Sequence, residues 1–163
     1  MDQVFILLII LCALGSGAIG GVFFAFSNFV MPALARIAPA EGIHAMQAIN
    51  VTVLNRLFLG TFMGTGLLSL VVIVGALLSW NGASSLCALL GSAAYVLGSI
   101  VVTMRGNVPL NNALMRITQA DALGEATWRS YLTDWTKWNT VRTIACFVAM
   151  VLFILALVLP QAS

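Results

Sequence analysis

Charge is what this sequence has least of: Asp, Glu, Lys and Arg make up 7% of its 163 residues, against 61% hydrophobic residues and a mean hydropathy of +1.07. That balance excludes a soluble domain of ordinary composition. Ligand-type side chains are equally thin. One histidine and five scattered acids form no HExxH pair or Cys/His cluster, so no metal site is expected. A haem would find only His44 and a methionine as ligands. Cys12, Cys87 and Cys146 sit far apart inside apolar runs without CxxC spacing, and read as packing residues rather than a disulfide framework. Phosphate-cradling glycine loops, a Ser-His-Asp order and a dinucleotide fingerprint are missing. No cofactor is expected. A net charge of +2 gives no argument for nucleic acid as a partner. No acid lies in the middle of an apolar run, which argues against a proton-coupled pump.

What is present is long apolar stretches. A membrane helix needs about 20 mostly apolar residues to cross about 30 Å of hydrocarbon, and four such crossings are expected, at about 4–35, 57–80, 84–104 and 143–159. The predicted fold is an all-α membrane protein, a single four-transmembrane-helix bundle. The start, Met1-Asp2-Gln3, lacks a cation, and the apolar run after it exceeds a signal-peptide core, so the first segment is expected to be a retained helix. Gly17 and Gly21 at GxxxG spacing offer a small face for a neighbouring helix. Asn81-Gly82 predicts a tight turn between the second and third crossings, because both residue types tolerate positive φ.

All seven cations fall in or beside two connections, 36–56 and 105–142, whereas the termini and the turn at Asn81 have none. Cytoplasmic loops accumulate Lys and Arg, so both connections are expected in the cytoplasm and both termini outside, with a bacterial inner (plasma) membrane as the expected location. The connections themselves read as helical extensions. Pro39 is a favourable first-turn residue, so the second helix is expected to begin near Ala40, below the membrane. Asn107 and Pro109 predict the start of a short helix along the interface, and Trp128, Tyr131, Leu132, Trp135 and Trp138 form an aromatic stripe running into the fourth crossing. Asn and Pro recur ahead of both connections, near Pro32 and Pro109, which two repeated helical hairpins would produce and ordinary boundary punctuation would also produce.

The polar residues of these extensions are the candidate site. His44, Gln47, Asn50 and Asn55 recur along the second helix, followed by Arg56, and amides with a lone imidazole suit a ligand better than they suit solubility. A solvated surface is the plainer reading. Trp135, Asn139 and Arg142 fall at i, i+4 and i+7 with Trp138 beside them, and stand as a site or as an interfacial belt with a snorkelling arginine. Asn107 and Asn111 are a helix cap and an exposed amide, or they close a pocket.

The segments GVFFAFSNFVMPAL (21–34), MQAIN (46–50), NVPLNNAL (107–114) and WTKWNTVRT (135–143), in this order on four apolar helices, resemble the anthrone oxygenase-like membrane proteins. The resemblance implies oxidation of an anthrone to an anthraquinone, which needs no cofactor: deprotonating the acidic benzylic carbon gives a carbanion that reacts with dioxygen. Residue roles follow from type and position here. His44 is the expected base; Arg56 and Arg142 would stabilise the oxyanion, with Asn50, Asn55, Asn107 and Asn139 as orienting donors. Trp135 and Trp138 would stack on a planar substrate. The expected partners are the bilayer and a lipophilic small molecule, with a homo-oligomer left open. The competing readings are a non-enzymatic small-molecule binder or transporter, and a membrane assembly partner.

Overall fold

The structure, a computed structural model, describes residues 2–118 and 122–159. Among the described residues, four helices are long and apolar enough to cross a membrane: α1 (Gln3–Leu34), α3 (Arg56–Leu78), α4 (Gly82–Met115) and α5 (Ala122–Val158). Between α1 and α3 runs the shorter α2 (Pro39–Thr52). Among the described residues there is no strand. The chain is thus an all-helical, multi-pass membrane protein. The helices close into a ring, α1 against α3 and α5, α4 against α3 and α5, while α2 lies across one end on α4 and α5.

Local chemistry sets the boundaries. Asp2 and Asn55 cap the first turns of α1 and α3, each side-chain oxygen accepting the N–H of the third residue on, Phe5 at 2.8 Å and Phe58 at 3.0 Å. Pro39 opens α2, as its fixed φ and missing N–H favour. At the expected turn Gly82 adopts φ 58°, while Asn81 stays at φ −134°. One glycine is enough to reverse the chain there.

Two prolines shape the long helices. Pro32 and Pro109 have no N–H, and each ring would strike the carbonyl four residues back in a regular helix. In both places the preceding residue bonds five residues back instead, Met31 N–H to the Phe26 carbonyl and Val108 N–H to the Thr103 carbonyl. These π turns widen the helix and let it continue. The interfacial helix expected to start at Asn107 is therefore the end of α4, and Asn107 is not a cap: it sits in helical geometry with its side chain turned to α5. The shared device accompanies the Asn/Pro recurrence at 28–32 and 107–109. The helices that follow the two connections share no such device: Asn55 is an exposed cap at the start of α3, and Asn139 is a buried mid-helix residue of α5.

Packing divides the molecule in two. In the half nearer the Asn81 turn, small and apolar residues such as Cys12, Ala76, Ala88, Ala149 and Ala156 are fully buried, and the outer surface is leucine and valine. Such an interior lets helices approach closely where lipid supplies no hydrophobic drive between them. Two of its hydroxyls bond to carbonyls, Ser69 to Thr65 at 2.8 Å and Tyr95 to Phe62 at 3.0 Å, while those of Ser16 and Ser92 are buried without a partner. Close approach falls at Gly15, where an added Cβ would collide with Thr65, and not at the Gly17/Gly21 pair: Gly21 faces open space and Gly17 meets only the flexible Met150. A second core, of Met31, Ile43, Met46, Leu114, Trp128, Tyr131 and Trp135, fills the end that carries the arginines. Helix α5 serves both, because its 37 residues reach roughly 55 Å at 1.5 Å per residue, well beyond about 30 Å of hydrocarbon.

Candidate functional site: a guanidinium facing an apolar cavity

Where the two cores meet, Arg142 is 5% exposed. Neutral oxygens hold it. Nη1 donates to Thr103 Oγ1 at 3.0 Å and Nη2 to Asn139 Oδ1 at 2.6 Å. Both acceptors are themselves fixed, Thr103 by donating to the Ser99 carbonyl and Asn139 by donating both amide protons, to the Phe23 carbonyl at 2.6 Å and Ser27 Oγ at 2.8 Å. Ser27 lies in the widened turn of α1, with Phe23 in the regular turn before it, and Thr103 opens the widened turn of α4. The proline-driven irregularities thus supply two walls of the arginine's socket.

The charge has no counter-ion in this socket. Among the described residues the ion pairs are Arg129 with Glu125 and Lys137 with Asp134, both on the surface, and neither involves Arg142. Its Nε is buried without a partner. Rings flank the group instead: the guanidinium carbon lies 4.0 Å from the centroid of Phe23 and 5.4 Å from that of Trp135. Cation–π contacts offset part of the lost hydration, but a desolvated cation remains a strong attractor for an anion.

It faces a cavity of about 490 Å³ whose wall is mostly apolar. Phe23, Phe26, Phe58, Phe62 and Trp135 line its interior, with Asn50, Asn111 and Thr103 among the few polar groups. The mouth is apolar too. Leu54, Leu59 and Met63 on the α3 side and Met104, Val108 and Met115 on α4 line the cavity and are also exposed, so it opens sideways between these helices. Phe23 and Phe62 belong both to its wall and to the core of the far half. Under the cavity Trp128, Tyr131 and Trp135 stack along α5, with centroids 5.7 and 5.9 Å apart.

The structure brings four of the eleven sequence-predicted site residues onto the cavity, Asn50, Asn111, Trp135 and Arg142, and places two behind it. Asn139 orients Arg142, and Asn107 donates to the Trp135 carbonyl at 3.1 Å, tying α4 to α5. The other five lie elsewhere. His44 is exposed, Arg56 is exposed at the start of α3, and Asn55 is spent on capping that helix. Gln47 satisfies the last carbonyls of α4, donating to Leu114 at 2.9 Å and Ile117 at 3.0 Å. Trp138, 45% exposed, lies in a separate groove with Arg105 and Lys137.

Helix geometry explains the split on α2. Residues three apart are offset by about 60°, so His44, Gln47 and Asn50 spiral around the helix instead of sharing a face. Only Asn50 reaches the hollow. Sequence reasoning missed Thr103, Ser27, Phe23 and Tyr131 as parts of the site. Tyr131 was visible in the aromatic stripe, but Thr103 and Ser27 are ordinary hydroxyls whose inward aim depends on π turns that no residue pattern displays. Among the described residues no three His, Cys, Asp or Glu side chains gather as a metal-ligand set.

Fold and site together define a class: a helical membrane protein with an apolar, side-opening cavity tipped by one buried cation. The chain belongs to the anthrone oxygenase family, whose family model, described as anthrone oxygenase, matches residues 54–152. That is the family its motifs resemble. The matched stretch spans α3, α4 and most of α5, including Thr103, Asn111, Trp135, Asn139 and Arg142, but not α1 or α2. No curated protein and no solved structure matches the chain.

Proposed function

We propose that the protein is a membrane-embedded oxygenase that takes a lipophilic, acidic aromatic ketone of the anthrone type from the bilayer and oxidises it with dioxygen without a cofactor. The observation that carries this reading is Arg142, a buried cation without a carboxylate partner, at the wall of an aromatic-lined cavity. Such a site favours a flat apolar molecule that bears negative charge on oxygen. An anthrone enolate is such a molecule, whereas its keto form is neutral.

The chemistry then follows from what the cation stabilises. Loss of one proton from the anthrone methylene to water gives the enolate, whose oxygen pairs with the guanidinium. At about 4 Å and an effective dielectric near 20, two unit charges attract by about 4 kcal/mol, enough to shift the substrate's ionisation by orders of magnitude. The electron-rich carbon forms a bond to dioxygen, giving a peroxide anion that takes up a proton. Loss of water across the H–C–O–OH unit leaves the new carbonyl. One oxygen atom stays in the quinone, the other leaves as water, and the methylene carbon supplies the four electrons.

In this scheme no side-chain base has to enter the cavity, and His44 and Arg56, exposed outside it, carry no catalytic role. Phe23 and Trp135 flank the ring system, and Asn139 and Thr103 position Arg142. The positive-inside pattern supports a cytoplasmic location for the arginine-bearing end and an inner-membrane setting. A binder or transporter would use the same hollow without consuming oxygen. Oxygen uptake by the purified protein with an anthrone, compared with Arg142→Gln, tests the proposal. Wild-type uptake that the variant lacks supports it; binding without oxygen consumption by either would make the protein a carrier.

A further inference from the structure

The cavity carries a second polar feature apart from the arginine. Asn111 Oδ1 accepts two hydrogen bonds, from the Tyr131 hydroxyl at 2.8 Å and from Trp135 Nε1 at 2.7 Å. Both are unambiguous donors toward it, and an amide nitrogen could accept neither. The carboxamide is therefore locked with its oxygen toward α5, and its NH2 group, on a residue that lines the cavity, is left without a protein acceptor.

Asn50 stands next to it. It lines the same cavity, beside the Tyr131 hydroxyl, yet its Nδ2 is buried and makes no close hydrogen bond. Because Tyr131 gives its proton to Asn111, it shows Asn50 only lone pairs, and the NH2 of Asn50 is the end that belongs there. One N–H of Asn50 thus faces the Tyr131 oxygen, and its second N–H, with the NH2 of Asn111, is left for the apolar hollow. A buried donor without a close partner, as at Asn50, is uncommon and costly, and the two amides come from different helices.

We infer that Asn50 and Asn111 form a donor pair that reads a second oxygen of the ligand, an acceptor such as a ring methoxyl, phenolic or carbonyl oxygen, distinct from the oxyanion that pairs with Arg142. This rests on the proposed binding of an anthrone-type aromatic, and it makes these residues specificity determinants. Rejection of the wrong ligand would come from leaving the donors unpaired, which a site built for a hydrogen bond does more effectively than an apolar wall.

The test uses anthrone and its monomethoxy derivatives, binding to the detergent-solubilised full chain without oxygen, so that affinity is read apart from turnover. Wild type should prefer at least one methoxy isomer over anthrone, by about three- to tenfold for one neutral hydrogen bond. Asn50→Leu should abolish that preference while leaving the affinity for anthrone nearly unchanged. Asn111→Asp, which keeps the acceptor for Tyr131 and Trp135 but deletes the donor, should likewise abolish the preference, whatever its charge does to the affinity for anthrone itself, and guards against a folding defect. Equal loss for both ligands in both variants, or a preference that survives them, would overturn the donor pair and leave the arginine site standing. Failure of wild type to bind any of the compounds would overturn both.

Discussion

The two halves of this bundle solve opposite problems with the same four long helices. In the half nearer the Asn81 turn, many of the buried residues are small, the Ser69 and Tyr95 hydroxyls bond to carbonyls, and an added methyl at Gly15 would strike Thr65. In the arginine-bearing half large aromatic residues border a cavity, two helices are widened ahead of prolines, and a cation is buried without a carboxylate partner. The first half is built to be full and the second to be filled. Stability is expected to concentrate in one and binding in the other, and variants can separate them.

The largest effect is expected at Arg142. Arg142→Gln should lower turnover of an anthrone by about 100-fold or more, the scale of losing an oxyanion-stabilising donor, measured as oxygen uptake alongside circular dichroism to show that the helices persist. Next is Gly15→Leu in the tight half, expected to destabilise by about 1–3 kcal/mol through overpacking against Thr65, read as a lower unfolding temperature in detergent. Gly21→Leu, facing open space, should leave that temperature unchanged. If the two glycine variants behave alike, the contrast between halves is lost. Trp135→Phe keeps a ring but deletes the bond to Asn111, and should cost about 1 kcal/mol, a roughly fivefold weaker ligand affinity by titration. The smallest effect is expected at the exposed His44, where Ala should keep turnover within about twofold, as for surface sites generally. A large loss there would return the base to that imidazole.

These contrasts also show what the sequence could carry. Crossings, the Gly82 turn and the helical extensions were legible because apolar run length, turn chemistry and proline placement act locally. Arg142, Trp135 and Asn139 were legible as a group because their i, i+4, i+7 spacing survives inside a regular helix. His44, Gln47 and Asn50 were not separable, since a spacing of three looks like a stripe on paper and spirals on a real helix. Thr103 and Ser27 were hidden for a different reason: the π turns that aim them result from relieving Pro32 and Pro109, a tertiary accommodation without its own residue signature. The Gly17/Gly21 pair misled because spacing alone does not say which face meets a neighbour.

The central claim is that the Arg142 guanidinium holds an aromatic oxyanion within an apolar cavity. Visible absorption of a bound hydroxyanthraquinone, whose ionised form is red-shifted, reads this directly. Mixed with wild type at a pH where the free dye is neutral, the bound dye should show the spectrum of its anion, and with Arg142→Gln the spectrum should stay neutral at matched occupancy. A neutral spectrum on wild type, or an anionic one on both proteins, would contradict the account.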